Sequence, residues 1–156
     1  MYTTQIEQQL TILLRRVQRI HFTTAAGKVE LDRSGYGIMC RLHDEGAHRL
    51  SALAQAFGLD PSTITRQVQA LEHTGWVART PDPTDRRASL LDLTDEGREV
   101  LVTTRGRRRK WLEFALRDWS SQELDDFGRL VEKFNHSIET VVQEYEKSSA
   151  TQPPAI

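Results

Sequence analysis

The stretch that most constrains the fold is RLSALAQAFGLDPSTITRQVQALEHTGW, residues 49–76. Leu50, Leu53, Ala54 and Phe57 fall on one face of a short helix. Gly58 follows, where a tight turn needs left-handed backbone. Asp60 then offers a side-chain oxygen to the first free N–H groups of a second helix. Pro61 sits at that helix's first position, where a missing N–H loses nothing. Ile64, Val68 and Leu71 recur at i, i+4 and i+7, and Ala54 is small where the two helices would cross. Two short helices, a glycine turn and an apolar stripe on the second helix make a helix-turn-helix.

That stripe also fixes the opposite face. Ser62, Arg66, Gln69 and His73 lie there, flanked by Thr63, Thr65 and Gln67. No acidic residue occurs from Ser62 to Leu71. Arginine can take guanine bidentately, glutamine can take adenine, and serine and threonine are short donors. The helix N-terminus adds a partial positive charge toward a phosphate. A merely solvated face mixes both charge signs, so this one is expected to contact DNA.

Downstream, WVART (76–80) and SLLDL (89–93) read as two short strands. The segment between them, PDPTDRRA, is expected to be a loop stiffened by Pro81 and Pro83, which bar ladder pairing at their positions. It carries Arg86 and Arg87 at its tip. A hairpin beside a recognition helix can reach the neighbouring minor groove, whose negative potential attracts an inserted arginine. Asp85, two residues before Arg87, is expected to bond its guanidinium and fix its direction. Before the helix-turn-helix, Asp32 as N-cap with a Leu31–Tyr36 staple starts a helix through Leu42, which Gly46 ends.

The two ends of the chain differ from this middle. Ile6, Leu10, Leu13, Val17 and Ile20 form one apolar stripe. Ser120 and Glu123 make a capping box. After it, Leu124, Phe127, Val131, Phe134, Ile138, Val141 and Tyr145 alternate steps of three and four, the seam of a coiled coil. Burying one such side chain is worth about 1.5–3 kcal/mol, so both seams are expected to build a homodimer interface. Charge divides the same way. Residues 61–110 carry ten Lys/Arg against seven Asp/Glu, whereas residues 113–156 carry four against nine. The net charge of −1 hides this division.

With these elements in order, the chain resembles the MarR family of winged-helix transcription regulators. The family's hallmark, D-x-R, three residues, an aliphatic, any residue, L-T, two residues, G, stands here as Asp85, Arg87, Leu91, Leu93, Thr94 and Gly97. Leu91 replaces the common valine. The resemblance implies a mainly α fold: a winged helix-turn-helix, its wing two short strands, with N- and C-terminal helices forming a dimerisation lobe. In it residues 1–147 are one MarR-like chain. Residues 1–30 and 112–147 are the dimerisation helices, 31–111 the winged core and connecting helix, and 148–156 a flexible tail. The interface would include Ile6, Leu10, Leu13, Val17, Phe127, Val131, Phe134, Ile138 and Val141.

The resemblance further implies a repressor that binds a pseudo-palindromic operator as a homodimer. Thr65 and Arg66 would face the major groove, Arg87 would enter the minor groove, and Thr94 would cap the next helix. The two recognition helices would lie about one helical turn apart on the duplex. A small aromatic or phenolic effector at the lobe junction would change that spacing, and a nearly complete release needs about 5.5 kcal/mol of preference for one state. His21, Tyr36, Met39 and Trp111 are the candidate lining residues, although at helical spacing such residues more often belong to the core.

Other functions find little support. There is no GxSxG, GxGxxG or P-loop, so no catalytic residue is assigned. No His pairs at i, i+3 or i+4 with another His, and Cys40 with His43 is the lone Cys–His pair at such a spacing, so no metal or other cofactor is expected. Cys40, the single cysteine, permits no internal disulfide and reads as an inert thiol rather than a redox sensor. MYTTQIEQQL lacks the basic and apolar blocks of a signal peptide, no apolar run spans a bilayer, and a cytoplasmic location is expected. The run RGRRRK, 105–110, either touches DNA backbone or, the preferred reading, pairs with Asp125, Asp126 or Glu132. The rival binding function is a winged-helix protein-interaction module without DNA binding.

Overall fold

A computed structural model describes residues 2–17, 31 and 33–149 of the chain. Ile20, His21 and Asp32 lie outside the described residues, as do residues 150–156 of the expected tail, whereas Ser148 and Ser149, also expected in that tail, continue the last helix. The order is α1 (Tyr2–Val17), α2 (Arg33–Glu45), β1 (His48–Arg49), α3 (Leu50–Phe57), α4 (Pro61–His73), β2 (Val77–Asp82), β3 (Asp85–Leu93), α5 (Asp95–Ala115) and α6 (Ser121–Ser149). The chain divides into two compact units, residues 1–110 and 111–156.

The core of the first unit gathers Ile38, Met39 and Leu42 from α2, Leu53 and Ala54 from α3, and Ile64, Val68 and Leu71 from α4. Trp76, Val77, Leu91, Leu93 and Leu101 close it from the sheet and α5. The helix-turn-helix thus forms as its spacing requires. Gly58 adopts φ 59° and ψ 32° and ends α3 in a left-handed cap. Phe57 departs from the expected apolar face: it is 36% exposed and lies beside Gly37 of α2. Leu31 is buried as the staple requires, but α2 runs three residues past Leu42 before Gly46 donates its N–H to the Leu42 carbonyl.

The expected two-stranded wing is a three-stranded antiparallel sheet of order β1-β3-β2. Strand β1 pairs His48 with Leu91 and Arg49 with Leu90. Two polar or charged residues carry no period, so β1 left no trace in the sequence pattern. The hairpin strands are also longer than expected. Pro81 pairs with Ser89, and the turn shrinks to Pro83 and Thr84. Proline was expected to end the ladder here, but β2 is an edge strand, where a missing N–H is tolerated. The register is irregular just beyond it, between Pro81 and Asp82.

In the second unit, the Ser120 N–H and hydroxyl donate to Glu123 Oε2, and the Glu123 N–H returns to Ser120 Oγ. This is the expected capping box. Trp119 meets Phe127 edge to face, ring centres 5.3 Å apart. The apolar seam of α6 stays uncovered within one chain: Phe127, Val131, Phe134, Ile138 and Val141 are 39–60% exposed. On α1, Ile6 and Leu13 are exposed and Leu10 and Val17 half-buried.

Candidate nucleic-acid interface

The second helix of the helix-turn-helix, α4, buries Ile64, Val68 and Leu71 and turns Ser62, Arg66, Gln69 and His73 outward. Arg66 meets no carboxylate among the described residues and is exposed. The leading turn is less open than its sequence suggests. Asp60 Oδ1 accepts the N–H groups of Ser62 and Thr63, each at 3.0 Å. Its two oxygens also accept both hydroxyl protons, and Thr65 donates to the Pro61 carbonyl. Those hydrogen bonds, the Ser62 hydroxyl's first, hold the Asp60 carboxyl well below the usual range. The N–H groups expected to attract a phosphate are thereby taken, and the three hydroxyls offer lone pairs instead of protons. Gln67 also turns away: its Oε1 is buried without a hydrogen-bond partner, because position 67 sits beside the apolar stripe. Arg66, Gln69 and His73 remain the freely presented polar groups of the face.

The C-terminal end of α4 is tied to the hairpin. Arg79 of β2 grips Glu72, with Nε donating at 2.7 Å and Nη2 at 3.2 Å. Glu72 is the acid that interrupts the otherwise acid-free helix, and this pairing occupies it. Thr94 Oγ1 accepts the Gly97 N–H at 3.0 Å and donates to the Gly75 carbonyl at 2.6 Å. It therefore caps α5 as expected and staples it to the end of the recognition-helix turn.

At the hairpin tip Arg86 and Arg87 are exposed, on the first residues of β3 rather than in a loop. Asp85 acts differently from expectation. Its Oδ1 accepts the backbone N–H of Arg87 at 3.0 Å, so it fixes the main chain and not the guanidinium. The two-residue turn brings that N–H to the carboxylate first. A second acid does most of the holding. Asp82 is buried and accepts the N–H and hydroxyl of Thr84 at 2.8 and 2.7 Å. Arg49 Nε reaches it from β1 at 2.7 Å. These bonds, the Thr84 hydroxyl's first, push the Asp82 carboxyl down to about 2. A depressed carboxyl stabilises the fold above its unfolded value, about 3.9, and loses that contribution as pH falls through the folded one. Thermal melts should therefore show an acid slope between about pH 4 and about pH 2 that Asp82→Asn makes shallower; identical slopes would refute the assignment.

The comparisons with known proteins agree with this geometry. Residues 31–89 match the family model described as MarR family. The HTH-type transcriptional regulator YxaD of Bacillus subtilis is 35% identical over 134 residues, 85% of this chain and 92% of its own. The chain belongs to the MarR family. The HTH-type transcriptional repressor NicR of Pseudomonas putida is 30% identical over 99 residues, 62% of this chain and 63% of its own. A crystal structure of MarR superposes with a TM-score of 0.66 at 25% identity, covering 74% of this chain and 78% of that one. As a MarR-family protein the chain is a DNA-binding transcriptional regulator and not an enzyme.

Other expectations made of this MarR-family chain fare unevenly. Met39 has no exposed surface and belongs to the core. Tyr36 is half-buried beneath the Arg108 guanidinium, 4.1 Å from its ring centre, and burial raises its phenol. Trp111 falls in the second unit and is 42% exposed. Within the basic run, Arg105 pairs with an acid of the first unit. Arg105 Nη2 grips both oxygens of Asp44 on α2 at 3.0 and 2.8 Å, while Asp126 is taken by Gln122 and Arg129 of its own helix. Cys40 is half-buried and packs against the core. Among the described residues no helix is long and apolar enough to cross a membrane, and no His, Cys, Asp and Glu cluster has the makings of a metal site.

Proposed function

We propose that this regulator is a ligand-responsive repressor that acts as a homodimer on a pseudo-palindromic operator. Residues 60–74 lie in the major groove and the wing, 76–93, in the minor groove. The observation that carries the reading is the exposed outer face of α4, where Arg66 and Gln69 pair with no acid among the described residues: Asp60 is taken up by Ser62 and Thr63, and Glu72 is neutralised by Arg79. Arg66 has the fork to take guanine, and Gln69 the amide to take adenine. Arg86 and Arg87 are exposed on a hairpin tied to that helix, as minor-groove insertion requires. The exposed seam of α6, with Ile6 and Leu13 of α1, supplies dimer surface, and the repressor NicR among the relatives favours repression over activation. A small aromatic or phenolic effector would act by altering the distance between the two recognition helices, and the cell compartment would be the cytoplasm.

The test is Arg66→Ala on a duplex enriched from a randomised pool by the wild-type protein. Loss of one bidentate base contact is worth about 1–3 kcal/mol, or roughly 5- to 150-fold in affinity, with relaxed preference at one base pair per half-site. A phosphate contact would instead weaken all sequences alike and lower the salt slope by about one. Unchanged affinity and preference would remove α4 from the major groove.

A further inference from the structure

Strand β1 covers only the inner part of β3. It reaches Leu91 and Leu90, so among the described residues the hairpin from Asp82 to Ser89 has no third strand beside it. A two-stranded ribbon with no support on its outer half is marginal in water and frays at the tip. Yet this is where Arg86 and Arg87 leave the chain.

One side chain spans the gap. From the end of β1, Arg49 Nε donates to Asp82 Oδ2, and Nη1 stands 3.9 Å from Asp85 Oδ2. Asp82 is the last residue of β2 and Asp85 the first of β3, so one guanidinium gathers both sides of the turn. Each carboxylate passes the restraint on. Asp82 Oδ1 holds the N–H and hydroxyl of Thr84, and Asp85 Oδ1 holds the N–H of Arg87. A planar fork can serve two carboxylates at once; an ammonium is a point charge and cannot do so with fixed direction. The same pairing answers an electrostatic problem. Two carboxylates at a tip meant for DNA would repel phosphates, and a guanidinium set between them offsets that charge.

We infer that Arg49 is a positioning residue for the wing: it sets the direction in which Arg87 projects, without touching DNA itself. The inference rests on the minor-groove reading of the wing proposed above. Arg49 also directly precedes α3, so the brace ties the wing to the first helix of the helix-turn-helix. The sequence separation of 33 residues between Arg49 and Asp82 hides the pair from any local pattern.

A double-mutant cycle on the full chain tests this, with the duplex enriched by the wild-type protein as the probe. Arg87→Ala should weaken binding about 10-fold. Arg49→Gln should weaken it about 5- to 10-fold, and by less than about 2-fold once Arg87 is already alanine, because a brace has no value when its arginine is gone. Arg49→Lys should remain impaired, since it restores charge but not direction. If Arg49→Gln does not fold, Asp82→Asn carries the same cycle, because its amide oxygen still accepts from Thr84. Additive losses, or full activity in Arg49→Lys, would overturn the brace while leaving the wing reading standing. No loss in Arg87→Ala would overturn the wing reading and the brace with it.

Discussion

Replacing Gly97 with alanine is expected to lower the melting temperature by about 6–12 °C, the shift that about 3 kcal/mol produces in a chain of this size. Helix propensity alone argues the other way. Alanine in a helix interior is favoured over glycine by about 0.8–1.0 kcal/mol. The neighbouring backbone decides the sign. A β-carbon at position 97 would overlap the carbonyl oxygen of Trp76 and stand 2.9 Å from its carbonyl carbon. Neither atom belongs to a side chain that can swing aside. That carbonyl accepts the Thr94 N–H at 3.0 Å, and Trp76 is itself a core residue. Relief of the clash must therefore move α5 away from the β2 entry or break the junction that Thr94 caps. Gly106 is the internal control. It lies in the same helix with nothing within 4 Å of an added β-carbon. Gly106→Ala should leave the melting temperature unchanged or raise it. Scanning calorimetry of both variants at equal protein concentration separates the two effects, and equal shifts would show that the Trp76 contact is not limiting.

The contrast between those glycines reflects what a sequence can reveal. Features made by residues a few positions apart were legible. Asp60 with Ser62 and Thr63, Gly58 after Phe57, and Ser120 with Glu123 all formed as their spacing required, and Thr94 caps α5 through Gly97 as the family resemblance implied. The apolar stripe of α4 was legible too, because a helix repeats its buried face every turn. Legibility failed where the partner is distant. Arg49 finds Asp82, Arg105 finds Asp44, and β1 finds β3 across separations that composition does not encode. It failed also where one residue had two local choices. Asp85 was placed correctly at the tip, yet it bonds the Arg87 main chain rather than its side chain. Ser62 and Thr63 were placed correctly on the outer face, yet their protons are committed to Asp60. Position on a face follows from the period; the direction of a hydrogen follows from neighbours that three-dimensional structure supplies. For the DNA interface this matters directly, since it leaves Arg66, Gln69 and His73 as the exposed side chains with uncommitted donors on α4.

The second large effect concerns the seam of α6. Ile138→Glu should convert a dimer to a monomer and weaken binding to a two-half-site duplex by about 10²- to 10⁴-fold, the range that linking two weak sites contributes. Ile138 is 46% exposed in the single chain, so a glutamate there meets water and should leave the protomer's helix content intact. In a dimer the same position faces the partner's seam, where an unpaired carboxylate carries a penalty of several kcal/mol. The substitution thus discriminates between a seam that is merely solvated and one that is covered by a second copy. Sedimentation velocity reads the mass, and titration of full and half operators reads the linkage. Half-site affinity should hold while full-site affinity collapses toward it. A variant that remained dimeric, or that lost half-site affinity to the same degree, would place the dimer contact elsewhere than α6.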